Sequence, residues 1–136
     1  MSEHDDEVHL EHIAEMASML QRTARLGKDR FLGDADARDA TIYRLQTMAE
    51  STQRLSNEFK AANAEIPWDD IARFRNRAVH GYLGVDTEIV WSIVVTDVPE
   101  LSRCVRAELD RSRQPPGPTL ERDRGRDIGR GRGQGL

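Results

Sequence analysis

With 136 residues, only 38% of them hydrophobic, the chain has material for one domain with a modest core, so burial against a second copy or a partner would add to its stability. The formal charge of −4 hides an asymmetry: residues 1–110 carry 13 basic and 21 acidic side chains, whereas residues 111–136 carry seven Arg against three acids. The single cysteine, Cys104, excludes an internal disulfide and a thiolate metal site of its own, which fits a reducing cytoplasm; it reads as a small core residue rather than a nucleophile.

The N-terminal stretch Met1 to Glu7 is acidic and polar, and nowhere do about 18 apolar residues run together, so neither a signal peptide nor a membrane span is expected. Ile13, Met16, Ala17, Leu20 and Ala24 recur at helical spacing and predict a first helix over about 7–27, stopped by Gly27. His4, His9 and His12 lie among acids at its start, but they lack a complete ligand set and read as a solvated helix end, with no metal expected. After the Phe31-Leu32 pair and a turn-rich segment from Gly33 to Asp36, the stripe Ile42, Leu45, Met48, Ala49, Thr52, Leu55, Phe59 predicts one long helix over about 37–63. The methionines Met16, Met19 and Met48 read as core filling.

Pro67 opens a third helix, with Asp69 and Asp70 where the helix dipole favours negative charge, and Gly81 is its natural stop. The run from Ile89 to Val95 has the β-branched composition of a strand. A short helix is nevertheless expected, because Asp86 can cap it, Glu88 sits in its first turn, and no second strand exists to pair with it. Asp97-Val98-Pro99-Glu100 resembles a capping box that launches a last helix with the stripe Val98, Leu101, Val105, Leu109. The body, residues 1–112, is thus expected to be an all-α antiparallel bundle of about five helices. Residues 113–136, rich in Pro, Arg and Gly, are expected to be a disordered tail, either a solubilising appendage or a low-specificity contact for RNA or an acidic partner.

The chemistry concentrates in Phe74-Arg75-Asn76-Arg77-Ala78-Val79-His80-Gly81-Tyr82, an Arg-x4-His-x-Tyr arrangement at the end of the third helix. A guanidinium can fork onto an anionic oxygen, and an imidazole moves a proton near neutral pH, so the set suits phosphate chemistry. Trp68, Ile71, Arg75, Ala78 and Tyr82 share a stripe, so Arg75 interrupts an apolar face and requires a partner. Asn76 and His80 are four apart, close enough for the amide to orient the ring. Arg75 and His80 diverge by about 140° around an ideal helix, so a long side chain, a frayed helix end or a second subunit must bring them together. A purely structural account also exists: Arg75 pairs with a carboxylate such as Glu50, His80 caps the helix end, and Tyr82 packs on Trp91.

From Phe31 to about Leu109 the chain resembles the HEPN superfamily, specifically the HepT-like ribonuclease toxins. The resemblance is carried by Phe31-Leu32-Gly33-Asp34, Asp39-Ala40, Leu55-Ser56 and Glu65-Ile66-Pro67-Trp68-Asp69-Asp70-Ile71. It continues through the Arg75 to Tyr82 motif, Val85-Asp86, Ile89-Val90-Trp91 and Asp97-Val98-Pro99-Glu100-Leu101. It implies a HEPN-type helical bundle that forms a homodimer with two Arg-x4-His motifs facing one cleft. It further implies a metal-independent endoribonuclease without cofactors, the toxin of a type VII-like toxin–antitoxin pair. Carried over by position, Arg75 and His80 are the catalytic pair, Asn76 is the polar residue beside them, and Tyr82 is where a minimal nucleotidyltransferase antitoxin attaches adenylyl groups. The family's usual Gly-Glu-Ala in the long helix is Ala49-Glu50-Ser51 here, a departure that loosens one helix contact while keeping Glu50.

RNA cleavage would then proceed by attack of a 2′-hydroxyl on the adjacent phosphate, with His80 transferring the proton and Arg75 holding the charged oxygens. The alternative is a non-catalytic module that uses the same cleft to bind nucleotide or RNA or to dock a nucleotidyltransferase. There is no Walker-type phosphate loop, so nucleotide hydrolysis is not supported.

Overall fold

The computed structural model describes residues 3–80 and 86–113, with side chains for 5–77 and 86–113, and every regular element among them is helical. The expected tail falls outside this range. Helix α1 spans Glu3–Arg25 and buries Leu10, Ile13, Ala17 and Leu20 against two neighbours, α3 (Ala35–Gln53) and α7 (Val98–Arg113). Full burial of a Leu or Ile contributes about 1.5–3 kcal/mol, so this three-helix seam is the main source of stability. Gly27 follows α1 with φ 96°, a left-handed conformation that costs glycine little and any other residue more. This allows the immediate start of α2 (Lys28–Leu32), a short helix that seats Phe31 in the core with its ring 5.3 Å from that of Trp91.

The long helix expected over 37–63 is instead two helices. Helix α3 begins at Ala35, where the Asp34 side chain accepts a hydrogen bond from the Ala37 N–H at 3.1 Å, and it ends at Gln53. The chain turns through Arg54 to Ser56, then restarts as α4 (Asn57–Ala62). Ser56 is the cause: its hydroxyl oxygen accepts from the Phe59 N–H at 3.1 Å, an N-cap that starts a new helix. Ser56 is in turn gripped by Asp6 of α1, which is only 5% exposed. Its carboxylate accepts the Ser56 N–H at 2.8 Å and the Ser56 hydroxyl at 2.7 Å, fastening the start of α1 to the break between α3 and α4. Leu55 within the turn and Phe59 beyond it both stay buried, which is why their spacing resembles a continued stripe.

Helix α5 (Trp68–His80) begins just after Pro67 with Asp69 and Asp70 in its first turn, as the sequence predicts. The Trp68 indole N–H, shared between the carbonyls of Lys60 and Asn63 at 3.2 and 3.1 Å, ties its start to α4. Thr52 and Gln53 share a shallow depression with Ile66, Pro67 and Trp68, whereas Glu50 reaches Arg75, so α5 runs antiparallel to α3.

The run that looked like a strand is helical: α6 (Thr87–Ser92) is capped by Asp86, whose carboxylate accepts the Glu88 N–H at 2.8 Å. The expected capping box at Asp97 is not formed. Residues 93–97 make one π-helical turn, Val98 keeps helical angles (φ −61°, ψ −42°), and the chain runs on into α7 without a break. Pro99 supplies the physical reason, since it has no N–H for the Val95 carbonyl and its ring crowds that carbonyl; a widened turn lets the helix pass. Val90, Val94, Val98, Leu101, Val105 and Leu109 all remain in the core along this one composite helix.

Candidate active site

Phe74 is the anchor of α5. It is buried, and with the half-buried Trp68 and Ile71 it turns this helix toward α3. Arg75, one residue on, therefore emerges at the α3–α5 seam, its side chain 30% exposed. Three observations describe its guanidinium. Nη2 stands 3.5 Å from Oε2 of Glu50 on α3. Nη1 donates to the Asn76 side-chain oxygen at 3.2 Å. Nε is shut off from solvent and meets no acceptor.

Glu50 is itself shared, because the Arg54 Nη2 donates to the same oxygen at 3.4 Å from one turn along α3. The Glu50 side chain is 40% exposed, and neither guanidinium holds it closely. Arg75 is thus a partly desolvated cation with a long ion pair and one hydrogen bond to its neighbour from its Nη atoms, and a buried Nε without a partner. The Nη atoms are weakly held, and a charge-assisted, forked contact with phosphate oxygens would be shorter and stronger than the pairing they have.

The structural account of Arg75 is therefore correct as far as Glu50 goes. Arg54 is the participant that sequence reading missed, although its i, i+4 spacing from Glu50 was visible. Asn76 is turned toward Arg75. The main chain of α5 ends at His80, but its side chain, Gly81 and Tyr82 lie outside the described residues, and so do the expected contacts of the imidazole and the phenol.

Beside the motif, between α3, α5 and the π turn, lies a groove of about 730 Å³. Its lining is largely apolar, with Leu45, Met48, Ile71 and Phe74, and carries both signs of charge: Arg73 and Arg77 with Asp70 from α5, Arg73 ion-paired to Asp70, and Asp97 and Glu100 beyond. Asp97 is open to solvent on one side, yet partial burial against the groove wall, followed by the nearby Glu100 and Asp70, raises its carboxyl above the ordinary value. Cys104 is half-buried, and burial, then Glu65, push its thiol up against the opposing pull of Arg111. This disfavours the thiolate a nucleophile would need. Among the described residues no three His, Cys, Asp or Glu side chains gather where they could hold a metal ion, and no helix is long and apolar enough to cross a membrane.

An all-helical bundle with an Arg-x4-His motif closing the helix beside an apolar groove defines a class of protein, and comparison with known proteins agrees. Residues 10–108 match the family described as ribonuclease HepT-like, and the chain belongs to that family, within the HEPN superfamily. It is similar to the probable ribonuclease HepT of Thermococcus cleftensis, with 35% identity over 94 residues, 68% of this chain and 86% of the relative. It is also similar to a protein of Caldanaerobacter subterraneus subsp. tengcongensis, with 28% identity over 106 residues, 77% of this chain and 95% of that one. A protein of Methanocaldococcus jannaschii is 29% identical over 104 residues, 76% and 95% respectively. The latter two are both carried under RNase names. No solved structure matches the chain.

Proposed function

We propose that this protein is an endoribonuclease that cleaves RNA without a metal ion, works as a homodimer, and is the toxin of a type VII-like toxin–antitoxin pair. The observation that carries the reading is the state of Arg75: a half-buried guanidinium at the motif whose two Nη atoms are only loosely held, by Glu50 and Asn76. The ribonuclease names of its relatives point the same way.

In this mechanism a scissile phosphate displaces Glu50 from Arg75 and takes both faces of the guanidinium fork. His80 removes the proton from the neighbouring ribose 2′-hydroxyl. The 2′-oxygen bonds to phosphorus as the bond to the 5′-oxygen breaks, and a proton returned to that oxygen releases the downstream strand, leaving a 2′,3′-cyclic phosphate. Arg75 stabilises the charge that grows on the non-bridging oxygens, a role worth about 10²–10³ in rate when one such donor is removed. Asn76 keeps the guanidinium aligned between visits of the substrate.

The groove supports the dimer. Its apolar lining with charges of both signs suits a two-fold contact, and Phe74 and Asn76 on either side of Arg75 line it. A second copy seated there would bring two motifs to one cleft. Adenylylation of Tyr82 by a nucleotidyltransferase antitoxin would set a bulky anion beside that cleft and exclude RNA by charge and volume.

The test is cleavage of a fluorogenic oligoribonucleotide in excess chelator by the unmodified protein, its Arg75→Ala and His80→Ala variants, and their folded state by circular dichroism. Cleavage that persists in chelator and disappears in both folded variants is expected. Chelator-sensitive cleavage, or cleavage that survives Arg75→Ala, overturns the reading. RNA binding without turnover and indifferent to His80→Ala would instead favour a non-catalytic module. Mass spectrometry of the chain co-expressed with a neighbouring nucleotidyltransferase checks for an adenylyl group on Tyr82.

A further inference from the structure

Tyr43 is the aromatic side chain most open to solvent among the described residues, 64% exposed, whereas Phe31, Phe59 and Phe74 are buried and Trp68 and Trp91 are half-buried. Its position makes that exposure informative. Tyr43 and Glu50 are seven residues apart on α3, which places them within about 20° of one another around the helix and about 10 Å apart along it. Tyr43 therefore stands on the side of α3 that reaches Arg75. Because α3 and α5 are antiparallel, each step forward from Arg75 is matched by one step back from Glu50. The end of α5 at His80 falls level with Leu45, and Tyr43 lies about 3 Å further on. The tyrosine thus flanks the far end of the Arg-x4-His motif. Between it and Glu50 on this face stands Thr47, whose hydroxyl turns back to the Arg44 carbonyl at 3.2 Å.

We propose that Tyr43 is a stacking platform for a nucleobase of single-stranded RNA, next to the phosphate held at Arg75. This rests on the ribonuclease reading and adds to it a binding subsite. The chemistry favours a base over other partners of the ring: single-stranded RNA presents unstacked bases that lie on exposed aromatic faces, and a cation a short distance away fixes the phosphate that such a base belongs to. Stacking of this kind tolerates every base, so the platform would set affinity and register rather than sequence.

The experiment measures fluorescence anisotropy of a 3′-fluorescein 2′-O-methyl oligoribonucleotide of mixed sequence, which cannot undergo attack by its own 2′-oxygen. The full-length protein is compared with Tyr43→Ala, Tyr43→Phe and Tyr43→Trp. Loss of the ring should raise Kd roughly five- to a hundredfold, while Phe and Trp keep it within about twofold of the parent. An abasic nucleotide scanned through the oligonucleotide should weaken the parent at one position and have no further effect there in Tyr43→Ala. Unchanged Kd in Tyr43→Ala overturns the proposal, as does a parent that binds no oligonucleotide. A Tyr43→Ala protein that loses its oligomeric state in sedimentation while its Kd holds assigns the ring to a protein contact and also overturns it. Ring-dependent binding without any cleavage of ordinary RNA would keep this subsite and reject the ribonuclease reading. Arg75-dependent cleavage with ring-independent binding would do the reverse.

Discussion

Two charged side chains of this bundle, Asp6 and Arg75, are held in opposite ways. Asp6, at the start of α1, is nearly sealed from solvent and uses both carboxylate oxygens on Ser56, at 2.8 and 2.7 Å. Arg75, on α5, has an ion pair at 3.5 Å, one hydrogen bond to the next residue, and a buried Nε with none. Desolvating a polar group is tolerable when its bonds are completed inside, as at Asp6, and costs free energy when they are not. In the proposed reading, the bonds missing at Arg75 are those that an RNA phosphate would complete. The first group is a fastening, and the second is the group proposed here to bind phosphate.

Substitutions that separate stability from activity test this contrast. The largest effect belongs to Arg75→Ala, which should lower kcat for RNA by about 10²–10³ while the melting temperature, read by calorimetry, moves little. Arg75→Lys should not rescue it, because an ammonium lacks the fork. Asp6→Ala should show the opposite pattern. Charge-assisted hydrogen bonds lost from a buried site cost about 2–3 kcal/mol, a fall of roughly 10 °C or more, with kcat per folded molecule preserved at 25 °C. Were Asp6→Ala to melt like the parent, the fastening would carry no weight.

Thr41 offers a control on α3, where its hydroxyl is buried without a partner. Thr41→Val should raise stability by about 1 kcal/mol in urea melts, since no bond is lost with the hydroxyl. Glu50→Gln should change stability by less than about 1 kcal/mol, because both members of its pair with Arg75 are partly solvated. It should tighten RNA binding about two- to fivefold, since it removes a competitor for the guanidinium; weaker binding would mean that Glu50 positions Arg75 instead of occupying it.

The smallest effect is set by pH. The Asp97 carboxyl is raised in the folded chain, so its charged form destabilises the fold at neutral pH. That penalty fades as pH falls through the raised value and is gone below the ordinary carboxylate range. Asp97→Asn should therefore melt slightly higher than the parent at pH 7 and together with it in strong acid.

Much of this was legible in the sequence. Helical periodicity marked α1, α3 and α7, Pro67 and the two aspartates marked α5, and Asp86 rescued α6 from its β-branched composition. The errors share a cause. Ser56 and Pro99 each act on the backbone, one by starting a helix within an apolar stripe and the other by widening a helix it was expected to begin, and periodicity is blind to both. Asp6 was unreadable for another reason: an acid among acids looks solvated until a serine 50 residues away is known to stand beside it. At the site, the pairing of Arg75 with Glu50 was anticipated from charge alone. The loose hold on Arg75 was not, because it depends on how far α3 and α5 stand apart.

The π turn at Ile93–Asp97 has a consequence for chain length. An ordinary helix advances about 100° per residue, so a row spaced by four drifts around the axis, and a wider turn winds less per residue and takes the drift back. Between Val90 and Val98 the composite helix therefore holds one residue more than its two buried ends need. A chain with a single residue deleted there, and with Pro99 replaced by a residue that has an N–H, could close the same span as plain α-helix and leave Val90 and Val105 where they are. The spare residue is the length by which this segment can shrink without moving the site.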